Sequence, residues 1–172
     1  MTLTDSITHT TNVTGIRWLS LATAFGSVVT GGTLFGFSAF VLPALRRLPT
    51  AEAVSAMQAI NVQAPRSLLM LPLVGSALGS AAIVVLALVR SDTPNRGWLL
   101  AGAAAGLLTF VITAVYHVPH NDAFARLDPA APAAATAWRH YIGGWAWWNH
   151  ARTATALTSG VVLVAGAWPR SR

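Results

Sequence analysis

Four long apolar runs constrain this chain more than any other feature of its sequence. They cover about residues 17–45, 67–89, 97–118 and 145–168, and the first three contain almost no charged residue. A helix needs about 20 residues to cross the hydrocarbon core of a bilayer. Only 9% of the residues are charged and 54% are hydrophobic, whereas about 25% of the residues in a soluble domain are charged. The sequence therefore predicts an all-α membrane protein that forms a four-transmembrane-helix bundle.

The remaining segments divide the chain around these spans. We expect a polar, flexible N-terminus over residues 1–14, a single transmembrane domain over residues 15–168 and a short tail over residues 169–172. Pro49 and Thr50 suit a helix start, and they predict a short interfacial helix from about Ala51 to Gln63 between the first two spans.

The segment before the fourth span contains several helix breakers. Pro119 is expected to kink or end the third span, and Asp128, Pro129 and Pro132 interrupt the chain again. Residues 133–148 then predict an extended helix that leads into the fourth span, with a bend at Gly143 and Gly144.

Small residues four positions apart recur in every span. Because such pairs lie on one helix face, they let neighbouring backbones approach closely in a membrane. The pairs are Gly32 and Gly36, Gly75 and Gly79, Gly102 and Gly106, and Ala156 and Gly160. We therefore predict tight helix packing of the GxxxG type, which is also compatible with a homo-oligomer.

Composition excludes several classes of function. The chain has no cysteine, so it can form neither disulfides nor thiolate metal sites. Its net charge of +6 comes from arginines spread over the helix ends, which indicates anchoring at a lipid bilayer and not a nucleic-acid partner. The arginine count does not decide the orientation. We expect a plasma (inner) membrane location with cytoplasmic termini.

Polar side chains gather at one mouth of the predicted bundle. Asn61 lies on the first link, and the end of the third span and the start of the fourth supply Tyr116, His117, His120, Asn121, Asp122, His140, Asn149, His150 and Arg152. On the fourth span, Trp145, Asn149, Arg152, Ala156 and Ser159 are spaced by four, three, four and three residues. That spacing places them on one stripe of a helix, which we expect to face the bundle interior, with His150 off the stripe.

Two further interpretations remain open at this mouth. Trp138, Trp145, Trp147 and Trp148 are more crowded than an aromatic belt requires, so some of them could stack on a planar apolar ligand. His117, His120, His140 and His150 could bind a metal or haem, but they lie in no carboxylate-containing helix motif of the H-E-x-x-H or E-x-x-H kind.

Three segments together resemble the anthrone oxygenase-like family of small four-span membrane proteins, much of it a domain of unknown function. They are FVLPALRRLPTAEAVSAMQAIN, YHVPHNDAFA and WRHYIGGWAWWNHART, and the resemblance extends from about Gly31 to Thr153. The family's V-P-x-N pattern falls on Val118, Pro119 and Asn121, and its W-x-x-x-N-x-x-R pattern falls on Trp145, Asn149 and Arg152. The methionine-to-asparagine segment falls on Met57 and Asn61.

The resemblance implies an oxidoreductase that converts an anthrone into an anthraquinone with molecular oxygen as co-substrate and without a metal or organic cofactor. It implies a base, an oxyanion site and an apolar ring pocket. The candidate catalytic residues are Asn149, Arg152, Asn121, His120 and His150, and the candidate substrate-binding residues are Trp145, Trp148, Tyr116, Asn61 and Met57. Two alternatives stay open: a non-enzymatic membrane binding or assembly protein, and a histidine-ligated metal or haem protein.

Overall fold

The computed structural model describes residues 3–90 and 93–168, with side chains from residue 14 onward, and every regular element in that part of the chain is helical. The α-helices are α1 (Leu3–Gly36), α2 (Leu42–Leu45), α3 (Thr50–Gln63), α4 (Met70–Val89), α5 (Arg96–Ile112), α6 (Val118–Phe124) and α7 (Ala134–Ala167). A π-helical turn, Phe37–Val41, joins α1 to α2, and another, Thr113–His117, joins α5 to α6.

The first helix begins earlier than the sequence indicated. It starts at Leu3, so most of the segment predicted as a flexible leader over residues 1–14 is helical. A polar leader without a helix breaker can continue the helix that follows it, because helix propagation adds one hydrogen bond per residue. The predicted tail over residues 169–172 lies outside the described residues.

Four long helices form the bundle, but only three of them have the composition of a membrane span. In the described part of the chain, the helices over Thr14–Leu45, Met70–Val89 and Arg96–Phe124 are long and apolar enough to cross a membrane. Helix α7 packs against both α1 and α5, and α4 completes the ring between them. Polar residues of α7 lower its mean hydropathy. The structure therefore agrees with the predicted helical fold of the membrane type, but only three of the four predicted spans have the composition of a span in the described residues.

The two predicted helices outside the spans are confirmed. Helix α3 occupies Thr50–Gln63 and buries Ala53, Val54 and Met57 on one face. Helix α7 runs without interruption from Ala134 to Ala167, so the extended helix before the fourth apolar run exists. Its helical structure continues through Gly143 and Gly144.

A proline follows each π-helical turn. Leu42 donates its N–H to the carbonyl of Phe37, five residues back, and Pro43 comes next. Val118 likewise donates to Thr113 before Pro119. A proline ring clashes with the carbonyl four residues back in a regular α-helix, and the wider turn relieves that clash. Pro119 therefore does not end the third long helix, which continues to Phe124.

Two apolar clusters fill the molecule, one at each end of a polar layer. The bundle cluster contains Ile16, Ala24, Ile83, Leu99, Ala103 and Leu163. The cap cluster contains Leu42, Leu45, Ala53, Val54, Met57, Phe124, Trp138, Ile142 and Trp145, contributed by α2, α3, α6 and α7. The sequence-predicted mouth of the bundle is thus closed by a small helical cap.

The glycine pairs do not all lie in helix contacts. A Cβ atom on Gly102 would come within 2.8 Å of Leu163, and one on Gly106 would come within 2.9 Å of the Ser159 hydroxyl. Around Gly32 and Gly75, in contrast, a Cβ atom would meet nothing within 4 Å. In α1 the close approach to α7 occurs at Gly31, where Leu157 lies 2.8 Å from the Cβ position. The prediction that Gly32 lies in a helix contact was therefore wrong, because the preceding residue, Gly31, makes that contact.

Candidate active site

Asn149 and Arg152 form a hydrogen-bonded pair in the interior of the bundle. Asn149 is fully buried and Arg152 is 6% exposed. The guanidinium donates to Asn149 Oδ1 at 2.6 Å, and Asn149 Nδ2 donates to the Leu34 carbonyl at 2.9 Å and to Ser38 Oγ at 2.8 Å. Asn149 therefore holds the guanidinium to α1 beside the π-helical turn that contains Ser38.

The guanidinium has unused hydrogen-bonding capacity and no acidic partner. Its Nε is buried without a hydrogen-bond partner in the described structure. Besides the bond to Asn149, the guanidinium makes one other hydrogen bond there, a long one of 3.4 Å to Thr113 Oγ1. The described carboxylate residues Glu52, Asp122 and Asp128 are all exposed. An arginine buried in an apolar environment is costly unless it is paired, so this one is available to an anionic oxygen.

The Trp145 ring is the centre of the aromatic surroundings. The Arg152 guanidinium carbon lies 5.5 Å from its centroid, within the range of a cation–π interaction. The Phe37 ring lies 5.0 Å away, and the His117 ring meets it edge-on at 4.9 Å. The π-helical turn after α1 thus brings Phe37 to the Trp145 indole, and the turn after α5 brings His117 to the same indole.

A second polar chain fixes the orientation of that indole. Asn121 Oδ1 accepts hydrogen bonds from Trp145 Nε1 at 3.2 Å and from the Tyr141 hydroxyl at 2.8 Å. Asn61 Nδ2 in turn donates to the Tyr141 oxygen at 3.0 Å. Burial raises the pKa of Tyr141, so the phenol stays protonated and can donate to Asn121. Asn61 and Asn121 are therefore brought together through Tyr141.

The structure places several other candidates away from this pair. His120 and His150 are exposed, and Trp148 is 38% exposed. The His120 ring stacks on Tyr116 at 3.9 Å, and its Nδ1 lies 2.7 Å from the Tyr116 carbonyl. Tyr116 also contacts Trp148 at 5.1 Å, so these three form an outer aromatic layer. Met57 is fully buried in the cap cluster.

The histidines whose side chains the structure describes do not gather into a metal site. His117 is buried, whereas His120, His140 and His150 are exposed. Within residues 3–90 and 93–168, no three histidine, aspartate or glutamate residues lie close enough together to hold a metal ion.

Sequence reasoning missed residues that complete the site. Tyr141 bridges the two asparagines, and Ser38 holds Asn149. Thr113 and His117 lie in the second π-helical turn, and Thr113 Oγ1 also donates to the Thr109 carbonyl at 2.9 Å. Thr109, Thr113 and His117 are four residues apart in an otherwise apolar run, and that spacing was a usable signal for an inward-facing line.

Two concave surfaces lie elsewhere on the protein. A cavity of about 180 Å³ lies at the opposite end of the bundle, where Arg17 stacks on Trp168. A wider apolar groove of about 720 Å³ runs between α1 and α4, lined by residues such as Phe25 and Leu71. None of the candidate site residues lines either of them.

A comparison with protein families gives one match. The family model described as anthrone oxygenase matches residues 65–162, which is more than half of the chain and includes Asn121, Trp145, Asn149 and Arg152. No curated protein and no solved structure matches the chain. The predicted family is thereby confirmed, and the match covers the second and third of the three sequence segments that indicated it.

Proposed function

Since this chain belongs to the anthrone oxygenase family, we propose that it is a membrane-embedded oxygenase acting on an apolar aromatic compound of the anthrone or quinone-like type. Molecular oxygen is the co-substrate, and the reaction needs neither a metal nor an organic cofactor. The substrate binds beside Trp145, with its oxygen directed to Arg152.

The observation that carries this proposal is the buried Arg152. It is 6% exposed, it has no acidic partner in the described structure, and its Nε is free. A guanidinium in such surroundings favours a ligand that becomes negatively charged, because fixed donors stabilise developing charge most strongly where water is excluded. An anthrone becomes such an anion when it loses a methylene proton.

The reaction balances without a further reductant or oxidant. The substrate methylene loses a proton and leaves its electron pair on the ring system as an enolate, whose oxygen lies at Arg152. Oxygen adds to that carbon and forms a hydroperoxide after protonation. Loss of the second methylene hydrogen as a proton, with cleavage of the O–O bond, leaves the new carbonyl and one molecule of water. Both oxygen atoms and all electrons are then accounted for.

We also propose that α7 is the fourth membrane span, over about residues 145–168. Its polar residues Asn149, Arg152 and Ser159 are buried inside the bundle, while Trp147, at 71% exposure, and Val161, at 68%, face outward. A mean hydropathy counts inward and outward residues alike, so it underestimates the apolar character of the lipid-facing side. Four spans place both termini on one membrane side, which we assign to the cytoplasm at a plasma (inner) membrane.

Oxygen consumption tests the catalytic proposal. The purified protein in detergent, supplied with an anthrone, should consume oxygen and produce the corresponding anthraquinone, which absorbance detects. Arg152→Ala should abolish this turnover, and the exposed residue His140 supplies a matched control, His140→Gln, which should retain it. Turnover that survives both Arg152→Ala and Asn149→Ala would show that the site is elsewhere.

A further inference from the structure

We infer that His117 is the catalytic base that removes the substrate proton, a role that rests on the proposed function. The imidazole is 2% exposed, and neither ring nitrogen has a hydrogen-bond partner in the described structure. The Trp148 backbone lies near the ring, outside hydrogen-bonding geometry. Buried polar side chains are normally satisfied, so an imidazole with both nitrogens free is available to a ligand.

The position of His117 matches the position of the anion site. Its ring meets Trp145 edge-on at 4.9 Å, and the Arg152 guanidinium carbon lies 5.5 Å from the same indole. A base and a cation therefore flank one aromatic ring that can orient a flat substrate. Proton abstraction from a carbon conjugated with a carbonyl across a ring requires this arrangement, because the proton and the developing oxyanion need different partners.

The other proton acceptors in the described structure are less suitable. Glu52, Asp122 and Asp128 are exposed, and so are the two histidines that the sequence suggested as bases, His120 and His150. His117 is the only histidine in the described side chains that is buried. A base that is hydrogen-bonded to bulk water must release that water before it can take a substrate proton, so burial favours His117.

In each turnover His117 takes a proton from the substrate twice and gives it up twice. One free ring nitrogen takes the first methylene proton, and the C–H electron pair stays on the substrate as the enolate at Arg152. The imidazolium then protonates the peroxide that forms when oxygen adds. The neutral ring takes the second methylene proton as hydroxide leaves, and it returns that proton to the hydroxide to give water.

Anaerobic hydrogen–deuterium exchange separates this step from oxidation. The full-length protein in detergent is incubated with an anthrone in heavy water without oxygen, and mass spectrometry measures deuterium incorporation at the methylene carbon above the uncatalysed rate. His117→Gln should lower the catalysed exchange and the oxygen consumption by about 10²–10⁴-fold, the usual contribution of general-base catalysis. His140→Gln, an exposed histidine on α7, should match the wild type in both assays.

Chemical rescue covers the case in which His117→Gln folds poorly. Added imidazole should restore exchange in a folded His117→Gly variant, because the small molecule can occupy the vacated space. Two results together would overturn the assignment. The glycine variant would be folded, as judged by circular dichroism, but imidazole would not rescue its exchange, and the glutamine variant would exchange at the wild-type rate. Loss of exchange in His120→Gln with retention in His117→Gln would do the same.

The two proposals fail in different ways. Wild-type protein that catalyses exchange but consumes no oxygen would contradict the oxygenase proposal and leave His117 as a base. Wild-type protein that consumes oxygen while His117→Gln exchanges normally would retain the oxygenase and overturn the role of His117. Wild-type protein that does neither would refute both.

Discussion

Replacing Arg152 with methionine should leave the protein about as stable as the wild type while abolishing oxygen consumption. Methionine has a similar length and no charge, so it removes the guanidinium without creating a large cavity. The buried arginine has no acidic partner in the described structure, and this makes its presence expensive for the fold. The proposed reaction accounts for an arginine in such a position.

The magnitude follows from the contacts of the guanidinium. The hydrogen bond to Asn149 Oδ1 at 2.6 Å is charged and is worth about 1.5–3 kcal/mol. The contact with the Trp145 ring at 5.5 Å adds about 1–2 kcal/mol. Against these, removal of one buried ion recovers about 2.5–3.5 kcal/mol at membrane depth. The gain and loss nearly cancel, so we expect a change in the free energy of unfolding of less than about 2 kcal/mol.

Asn149 provides the second half of a double-mutant cycle. Asn149→Leu alone removes the acceptor at 2.6 Å from the guanidinium, and the loss of this charged hydrogen bond costs about 1.5–3 kcal/mol. In the double variant with Arg152→Met, neither a buried charge nor its unpaired acceptor remains. Ser38 can then donate to the Leu34 carbonyl, four residues back, which Asn149 otherwise binds. The double variant should therefore be more stable than Asn149→Leu.

Unfolding in mixed micelles with increasing sodium dodecyl sulfate, followed by circular dichroism, measures these differences, and an oxygen electrode measures activity. Arg139→Met is the matched control, since Arg139 is an exposed arginine on the same helix and donates a hydrogen bond to Thr136; both its stability and its activity should match the wild type. A loss of more than about 3 kcal/mol in Arg152→Met, or an active Arg152→Met protein, would refute the reasoning.

Three further predictions concern the fold and the chemistry. Because the chain has no cysteine, single cysteines at Thr93, at Ala130 and after the last residue can be labelled with an impermeant reagent in sealed vesicles; four spans require the first and third to react from one side and Ala130 from the other. Gly102→Ala should lower the free energy of unfolding by about 1–3 kcal/mol through overpacking against Leu163, whereas Gly32→Ala, with no neighbour within 4 Å, should be neutral or gain up to about 1 kcal/mol. Prolonged treatment with metal chelators should leave oxygen consumption unchanged, and activity that disappears and returns with an added metal would contradict a cofactor-independent reaction.

Regular spacing explains what could be predicted from the sequence. Trp145, Asn149, Arg152, Ala156 and Ser159 lie on one stripe of an uninterrupted helix, and all five are buried. The same reasoning found α3, because its start signal and its apolar face agree. In both helices the residues turn by a constant angle, so counting along the sequence gives the correct face.

Other features of the fold and of the site could not be predicted from the sequence. They depend on contacts between helices, which neither the average composition nor the regular spacing of one segment shows. Helix α7 combines buried polar residues with outward apolar ones, so it does not have the composition of a membrane span, although the sequence predicted one there. Gly31 and Gly32 are adjacent in sequence, yet only Gly31 lies against α7. Tyr141 was invisible because its role depends on Asn61 and Asn121 meeting from two other helices.

The π-helical turn at Thr113–His117 contains one extra residue, which the third long helix accommodates while it keeps His117 in line with Thr109. Eight residues of a regular α-helix rotate by about 800°, so His117 would lie about 80° away from Thr109 around the helix axis. The extra residue of the turn removes about 100° of that rotation and returns His117 to within about 20° of the same line. Deletion of one residue between Thr109 and His117 would restore a regular helix and leave the imidazole seven residues, about 700°, from Thr109, and therefore on nearly the same line. One more inserted residue would instead rotate the imidazole by about 100°, away from Trp145. Insertions at this point, more than deletions, are therefore the changes in chain length that separate the fold from its chemistry.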